Sequence, residues 1–390
     1  MSDDTIGILT GGGDVPGLNS VIKSVVYRAL GMGRQVIGIR RGWEGLTHAN
    51  LSGGGDPAYV WPLTRENTRT IDRSGGTVLH TSRTNPRRMN PSRVPEHMDE
   101  TALARLPQED DTLDFTSVVV DNIERLGIGT LITIGGDDTI SFSSHLHQQG
   151  VPVIAIPKTM DNDVQGTEYC IGFSTAITRA KDLITRQRTT LGSHERIGVF
   201  RIFGRDSGFS ALYTGYVTST RCLIPECPFD LEHLCEILVE DKRNNPSHYS
   251  LVVASEGAVW KGQELAEYGD ADAYGHRKKV DIGHALAAEV KRRTGEGTMT
   301  SDLTYDLRSG DPDSIDHMVA ITFANIALDL VGEGVSGRMV AIRDGRYAHV
   351  ELPDPALGPR QVDIEELYNA ERYRPIYSTK LGAPLLLSTV

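Results

Sequence analysis

The chain has 390 residues of ordinary globular composition, with 52 acidic against 40 basic side chains and a formal net charge of −12. That length suits two domains or one large α/β unit, and the acidic balance argues against a polyanion-binding surface and so against nucleic acid as a partner. Aromatic residues make up 6% of the chain while glycines number 41, which favours α/β with many tight turns over an all-β sandwich.

Residues 5–9 read as a short apolar strand that runs into Thr10-Gly-Gly-Gly-Asp-Val-Pro-Gly. Leu18, Val21, Ile22, Val25, Val26, Ala29 and Leu30 then recur at helical spacing, and 35–39 is the next strand. This strand–glycine turn–helix–strand unit is the first half of a doubly wound sheet. Residues 43–113 are rich in glycine and proline and read as an irregular insertion over the sheet edge, with 74–79 as a strand leading into Thr81-Ser82-Arg83. The alternation resumes with a helix near 115–126, a strand at 130–134, a helix from Ile140 and a strand at 151–156. Helices at 174–188, 207–218, 231–242, 280–293 and 314–330 interleave with strands at 197–203, 222–224 and 249–254. Asp344-Gly345 between 338–342 and 347–352 predicts a hairpin.

No apolar run approaches the ~20 residues of a membrane helix, so no membrane partner is expected. The start, Met-Ser-Asp-Asp and then a strand, suggests no signal peptide. Cys170, Cys222, Cys227 and Cys235 lack Cys-x-x-Cys spacing; we expect reduced thiols in a cytoplasmic protein and no zinc site. His145 and His147, two apart on a helix, face away from each other and do not form a metal pair.

Two segments carry the chemistry. Gly-Gly-Asp-Asp-Thr at 135–139 and Pro-Lys-Thr-Met-Asp-Asn-Asp at 157–163 each follow an apolar strand. With the turn at 11–14 they place glycine backbone, carboxylates and Lys158 at neighbouring strand ends. Glycines there let N–H groups approach a phosphate, and a helix N-terminus favours negative charge. The first turn is neither a Walker A loop nor a dinucleotide fingerprint, since no Gly-Lys-Ser/Thr follows and Pro16 stands at the third glycine's place. Asp137 is a candidate magnesium ligand, directly or through water, and helix N-capping is the plainer reading of either aspartate taken singly. Lys158 with Asp161 and Asp163 supplies the cation and proton acceptor that phosphoryl transfer to a hydroxyl requires. Arg83, Arg196, Arg205 and Arg308 are further anion contacts, for each of which a surface ion pair is the plainer reading.

Taken together these residues resemble the phosphofructokinase family. The co-linear motifs are residues 7–19, 75–79, 135–139 and 157–163, then Phe-Gly-Arg-Asp-Ser-Gly-Phe at 203–209, Ile-Pro-Glu at 224–226 and Tyr-Asp-Leu-Arg at 305–308. The region 43–113 and the C-terminal tail match least. The resemblance implies two Rossmann-like α/β lobes with mainly parallel sheets and the active site in the cleft between them. The donor lobe would be 1–171 plus about 307–355, and the sugar-phosphate lobe 172–306 plus the tail 356–390. It implies magnesium-dependent phosphoryl transfer to the 1-hydroxyl of fructose 6-phosphate. Asp161 would be the base, supported by Asp163, with Thr159 on the transferring group and Asp137 on magnesium. Gly12 and Arg83 would meet the donor phosphates and Arg205 the transferred phosphoryl. Phe203, Gly204 and Glu226 would meet the sugar, and Arg196, Tyr305 and Arg308 its phosphate. In related enzymes part of that phosphate site comes from a neighbouring subunit, so Arg196 implies a homodimer or homotetramer.

The donor is argued from Asp138 and Lys158. ATP-using relatives carry glycine at the position of Asp138, leaving room for the α-phosphate. A carboxylate fills that volume and would repel a phosphate at ~4 Å by about 4 kcal/mol at an effective dielectric of ~20. The expected donor is therefore pyrophosphate. Three alternatives stay open: ATP as donor, another sugar phosphate or polyol as acceptor, and a catalytically silent regulatory subunit. Phe203, Ser174 and Met299 depart from the family's usual residues and leave the acceptor least determined.

Overall fold

The computed structural model describes residues 5–53, 55–262, 267–268, 278–279 and 281–378. A seven-stranded sheet is built from β1 (Thr5–Thr10), β2 (Gln35–Ile39), β3 (Val60–Leu63), β4 (Ile128–Gly135), β5 (Val153–Pro157), β10 (Arg338–Arg343) and β11 (Arg346–Glu351). Its order is β11-β10-β5-β4-β1-β2-β3. A four-stranded sheet holds β6 (Ile197–Ile202), β7 (Arg221–Leu223), β8 (Ser250–Ser255) and β9 (Thr298–Asp302) in the order β9-β6-β8-β7. The pairings inside the large sheet are parallel from β2 to β10, the two edges are antiparallel, and the small sheet is parallel throughout. β5 and β8 are buried along their whole length, as parallel strands covered by helices on both faces require.

The helix α1 (Leu18–Gly31) buries Leu18, Val21, Ile22, Val25, Val26 and Ala29, the periodic residues of the sequence. It packs on α8 (Ser314–Gly332). That helix is long and apolar enough by length and composition to cross a membrane, which the reading from apolar runs did not register. Here it buries Val319, Ala320, Phe323, Ala324 and Ala327 in the core. The hairpin turn has Asp344 at φ 52° and Gly345 at φ 70°, the two left-handed residues of a tight two-residue connection.

The region 43–113 is less of an insertion than its composition implies. Trp43 is fully buried and meets Phe142 edge-on at 4.8 Å between ring centres. β3 extends the large sheet, its Pro62 tolerated because the strand lies at an edge. Residues 74–79 are not a strand: the Asn19 amide donates to the carbonyls of Ser74 and Gly75 and its oxygen accepts from Val78 N, so a side chain replaces the ladder. The described cysteines are all free, three of them buried. Val280, where the sequence placed a helix start, and the tail's last residues, 379–390, lie outside the described residues.

Candidate active site

The site grows from the carboxyl ends of β1, β4 and β5. Gly11 N donates to Ile134 O at 2.9 Å and Lys158 N to Gly135 O at 3.0 Å, so the three strand ends are knitted before any side chain is considered. Thr139, which the sequence reading passed over, is buried between two of the turns. A β-carbon on Gly11 or on Gly135 would come within 2.5 Å or less of its side chain, so both turns need glycine to close on it. Its signal in the sequence was its place one residue after the paired aspartates.

Lys158 is buried, and its Nζ donates to Gly13 O at 2.6 Å, reaching from one turn to the next. Burial, with the Arg308 guanidinium adding to it, lowers its pKa to about 8, partly offset by Asp14, Asp138 and Asp163. Asp138 therefore acts electrostatically on Lys158. Asp137 and Asp138 occupy the first turn of α2 (Asp137–Gln148), whose cap is Gly136 without a side-chain cap bond. The capping reading thus fails in its strict form; both carboxylates sit where the helix dipole favours anions. A β-carbon on Gly136 would lie 3.9 Å from Thr159 Cβ, which puts the start of α2 beside the 157–163 segment.

In that segment Thr159 Oγ1 accepts from Asp161 N at 3.1 Å, and the threonine hydroxyl also hydrogen-bonds the Asp163 carboxylate. Asn162 between the two aspartates has φ 55°, a left-handed conformation that asparagine tolerates better than most residues. Burial raises the Asp161 pKa well above the usual carboxylate value; Asp163 and Glu256 push the same way, and Arg205 and Arg308 oppose them. Asp163 is raised too, by burial first. Two half-buried carboxylates that resist ionisation together are suited to accept a proton rather than to sit as a fixed ion pair.

The second face comes from the small sheet. Phe203, Gly204 and Arg205 follow β6 directly. Gly204 has φ 124°, and a β-carbon there would lie 2.2 Å from Ser255 Oγ, so only glycine lets the chain turn here. Arg308, at the end of the short helix Thr304–Arg308, crosses to the other face: its Nε donates to Asp14 O at 3.1 Å and its guanidinium lies 5.4 Å from the Phe203 ring centre. Glu256, after β8, acts on Asp161 and pairs with Arg201 at 3.0 Å; no sequence motif had marked it. Glu226 Oε1 accepts from Gly208 N and Val362 N at 2.9 Å each, while its buried Oε2 has no hydrogen-bond partner.

Three predicted residues stand apart from this cluster. Tyr305 is 73% exposed. Arg83 is exposed and lines a groove of about 1380 Å³ with His48, Tyr59, Arg88 and Arg93, joined to the first turn through Gly12 N donating to Ser82 O at 3.1 Å. Arg196 is exposed and precedes β6, whereas Phe203–Arg205 follow it. At ~3.3 Å per residue the strand separates them by roughly 20 Å. Among the described residues no group of three or more His, Cys, Asp or Glu side chains is placed to hold a metal ion.

The family model for phosphofructokinase matches residues 5–331. The pyrophosphate–fructose 6-phosphate 1-phosphotransferase of Dictyoglomus thermophilum is 35% identical over 355 residues, covering 90% of this chain and 93% of its own. The ATP-dependent 6-phosphofructokinase of Chloroflexus aurantiacus is 35% identical over 351 residues, covering 90% of each. Among solved structures, the pyrophosphate-dependent phosphofructokinase of Nitrosospira multiformis superposes with a TM-score of 0.75 at 16% identity, over 96% of this chain and 89% of that one, and so shares its fold. With the motifs in order around one set of strand ends, this chain belongs to the phosphofructokinase family.

Proposed function

We propose that this protein transfers a phosphoryl group from pyrophosphate to the 1-hydroxyl of fructose 6-phosphate, reversibly and with magnesium. One observation carries the reading: Asp161, Asp163 and Lys158 share a segment beside two glycine turns, with Asp138 acting on that lysine. Lys158 and the turn amides bind the diphosphate, Asp161 takes the hydroxyl proton, and Thr159 holds the segment in register. Arg205 faces the transferred group, while Arg308 and Phe203 face the sugar phosphate. Glu256, which acts on Asp161, is a further candidate beside Glu226 for the sugar hydroxyls. Magnesium usually binds one or two carboxylates together with substrate phosphates and water. Asp137, in the first turn of α2, suits an ion that arrives with the diphosphate, which would neutralise charge on the phosphate oxygens. Pyrophosphate and a sugar phosphate ester have comparable transfer potentials, which makes the reaction reversible.

The two lobes follow the two sheets, with segments 1–171 and about 307–355 in the donor lobe and 172–306 with the tail in the other. We take the enzyme to be an oligomer that shares its sugar-phosphate site, with Arg196 supplied to a neighbour. ATP is the second reading, favoured by the groove of about 1380 Å³ at Arg83, which has room for a nucleoside against Tyr59. Purified protein assayed with pyrophosphate and with ATP, at equal fructose 6-phosphate and magnesium, decides between them. We expect turnover with pyrophosphate; turnover with ATP alone would sink the donor assignment. Asp161→Ala should lower kcat by about 10²–10⁴-fold, and an unchanged kcat would refute Asp161 as base.

A further inference from the structure

The family match ends at residue 331, yet three consecutive residues beyond it touch three separate parts of the site. Arg360 N donates to Asp163 O at 2.6 Å, and its Nε and Nη2 donate to Asn162 O at 3.3 and 2.8 Å. Nη2 also reaches Glu168 O at 3.4 Å. The Arg360 guanidinium lies 4.2 Å from the centre of the Phe209 ring. Gln361 Nε2 donates to Asp206 O at 3.4 Å, and Val362 N to Glu226 Oε1 at 2.9 Å. The stretch 360–362 is therefore a strap across the catalytic aspartates, the segment after Arg205, and the Glu226 turn.

Arg360 bears on a left-handed residue of that array. Asn162 is held left-handed between Asp161 and Asp163. Its side chain is spent on the following segment: Nδ2 donates to Glu168 O and Oδ1 accepts from Cys170 N. Its carbonyl is left for Arg360. A guanidinium is suited to this position because it gives two donors to one oxygen while its flat face covers an aromatic ring. A lysine ammonium has neither the fork nor the plane. Phe209 opens the helix that follows Arg205, so one side chain joins the aspartate segment to the arginine segment.

We propose that Arg360 is a positioning residue for phosphoryl transfer, fixing the Asp161–Asn162–Asp163 backbone against the Arg205 segment. It touches neither donor nor acceptor, so it acts on the alignment of groups that do. The inference rests on the reading of Asp161 and Asp163 given above.

Steady-state kinetics of the native protein, Arg360→Lys and Arg360→Ala with the donor the native protein uses provide the test. We expect both variants to lose about tenfold to a hundredfold in kcat, the scale of a small misplacement of catalytic groups. KM for both substrates should stay close to native, and added guanidinium ion should restore part of the Arg360→Ala rate. A purely structural role would lower the amount of folded enzyme without a change in turnover per folded molecule and without rescue. Native kcat in either folded variant, or a rise in KM alone, overturns the proposal. If Arg360→Ala does not fold, Arg360→Lys decides by the same criteria. A native protein inactive with every donor would remove the functional reading and this inference with it. An active native protein with indifferent Arg360 variants would remove this inference only.

Discussion

Asp138 and Lys158 are two side chains from adjacent strand ends that meet at one electrostatic site. Asp138→Gly removes a carboxylate that would face an α-phosphate. Of the roughly 4 kcal/mol of repulsion at ~4 Å, even a third would raise the ratio of ATP to pyrophosphate kcat/KM about tenfold. Donor competition assays measure that ratio, and an unchanged ratio would mean that the carboxylate does not select the donor. Lys158 gives a pH dependence with a definite sign. Its pKa is lowered to about 8, so its charge is lost as pH rises through that value. Pyrophosphate kcat/KM should fall above about pH 8, whereas kcat should hold to higher pH, because bound diphosphate raises the lysine's pKa in the complex. Asp138→Gly should move the basic limb of kcat/KM downward, since Asp138 supports the charged lysine. The positions of these two residues at strand ends are legible in sequence because each follows an apolar strand. Thr139 and Glu256 were not, because a lone threonine in a helix and a glutamate after a strand have many ordinary explanations.

The junction of α8 with α3 (Phe173–Ser193) holds the site's frame. Asp316 is completely buried and accepts from Tyr169 Oη, Gly172 N, Thr175 N and Thr175 Oγ1 at 2.7, 2.8, 2.8 and 2.5 Å. Asp313, the cap of α8, accepts from Ser174 and Thr178 hydroxyls at 2.7 and 2.9 Å. Ser174 is thus tied to a helix cap. These bonds anchor the segment 169–172, and Thr159 N in turn donates to Ile171 O at 3.1 Å. Asp316→Ala leaves several buried donors unpaired, at about 1–3 kcal/mol for each that finds no new partner, read as a lower denaturation midpoint. Burial raises the Asp316 pKa to about 6 despite its hydrogen bonds. The folded state therefore binds a proton more readily than the unfolded chain, and the group's contribution to stability falls as pH rises from about 4 to about 6. The stability gap between native and Asp316→Ala should accordingly widen as pH is lowered through that window. A gap that narrows would contradict the sign. Helix positions 314–330 were readable from apolar spacing, but Asp316 looked like one more acidic residue in a first helical turn.

At the scale of the whole molecule, Arg196 and the 203–205 turn lie at opposite ends of one strand, so a single chain cannot bring both to one sugar phosphate. If a neighbouring subunit receives Arg196, mixtures of Arg196→Ala and Asp161→Ala should regain activity after subunit exchange, although each variant alone is impaired. Complementation assays on dissociated and reassembled protein would measure this, and no recovery would assign Arg196 to its own chain's surface. The alternating α/β order, the parallel sheets, the glycine turns and the family are legible from the chain's residues without its structure. All of these arise from short-range patterns: apolar period, turn residues, and motifs of fewer than about ten residues. What the tertiary structure decided lies where distant segments meet. It turned the irregular 43–113 region into an edge strand and a buried tryptophan, and replaced a strand at 74–79 with bonds to Asn19. It set Glu256 where it acts on Asp161, and brought a strap from beyond the family match across the 161–163 segment. No local pattern encodes these, because each depends on a polar or aromatic side chain finding a partner tens to hundreds of residues away once the core has closed.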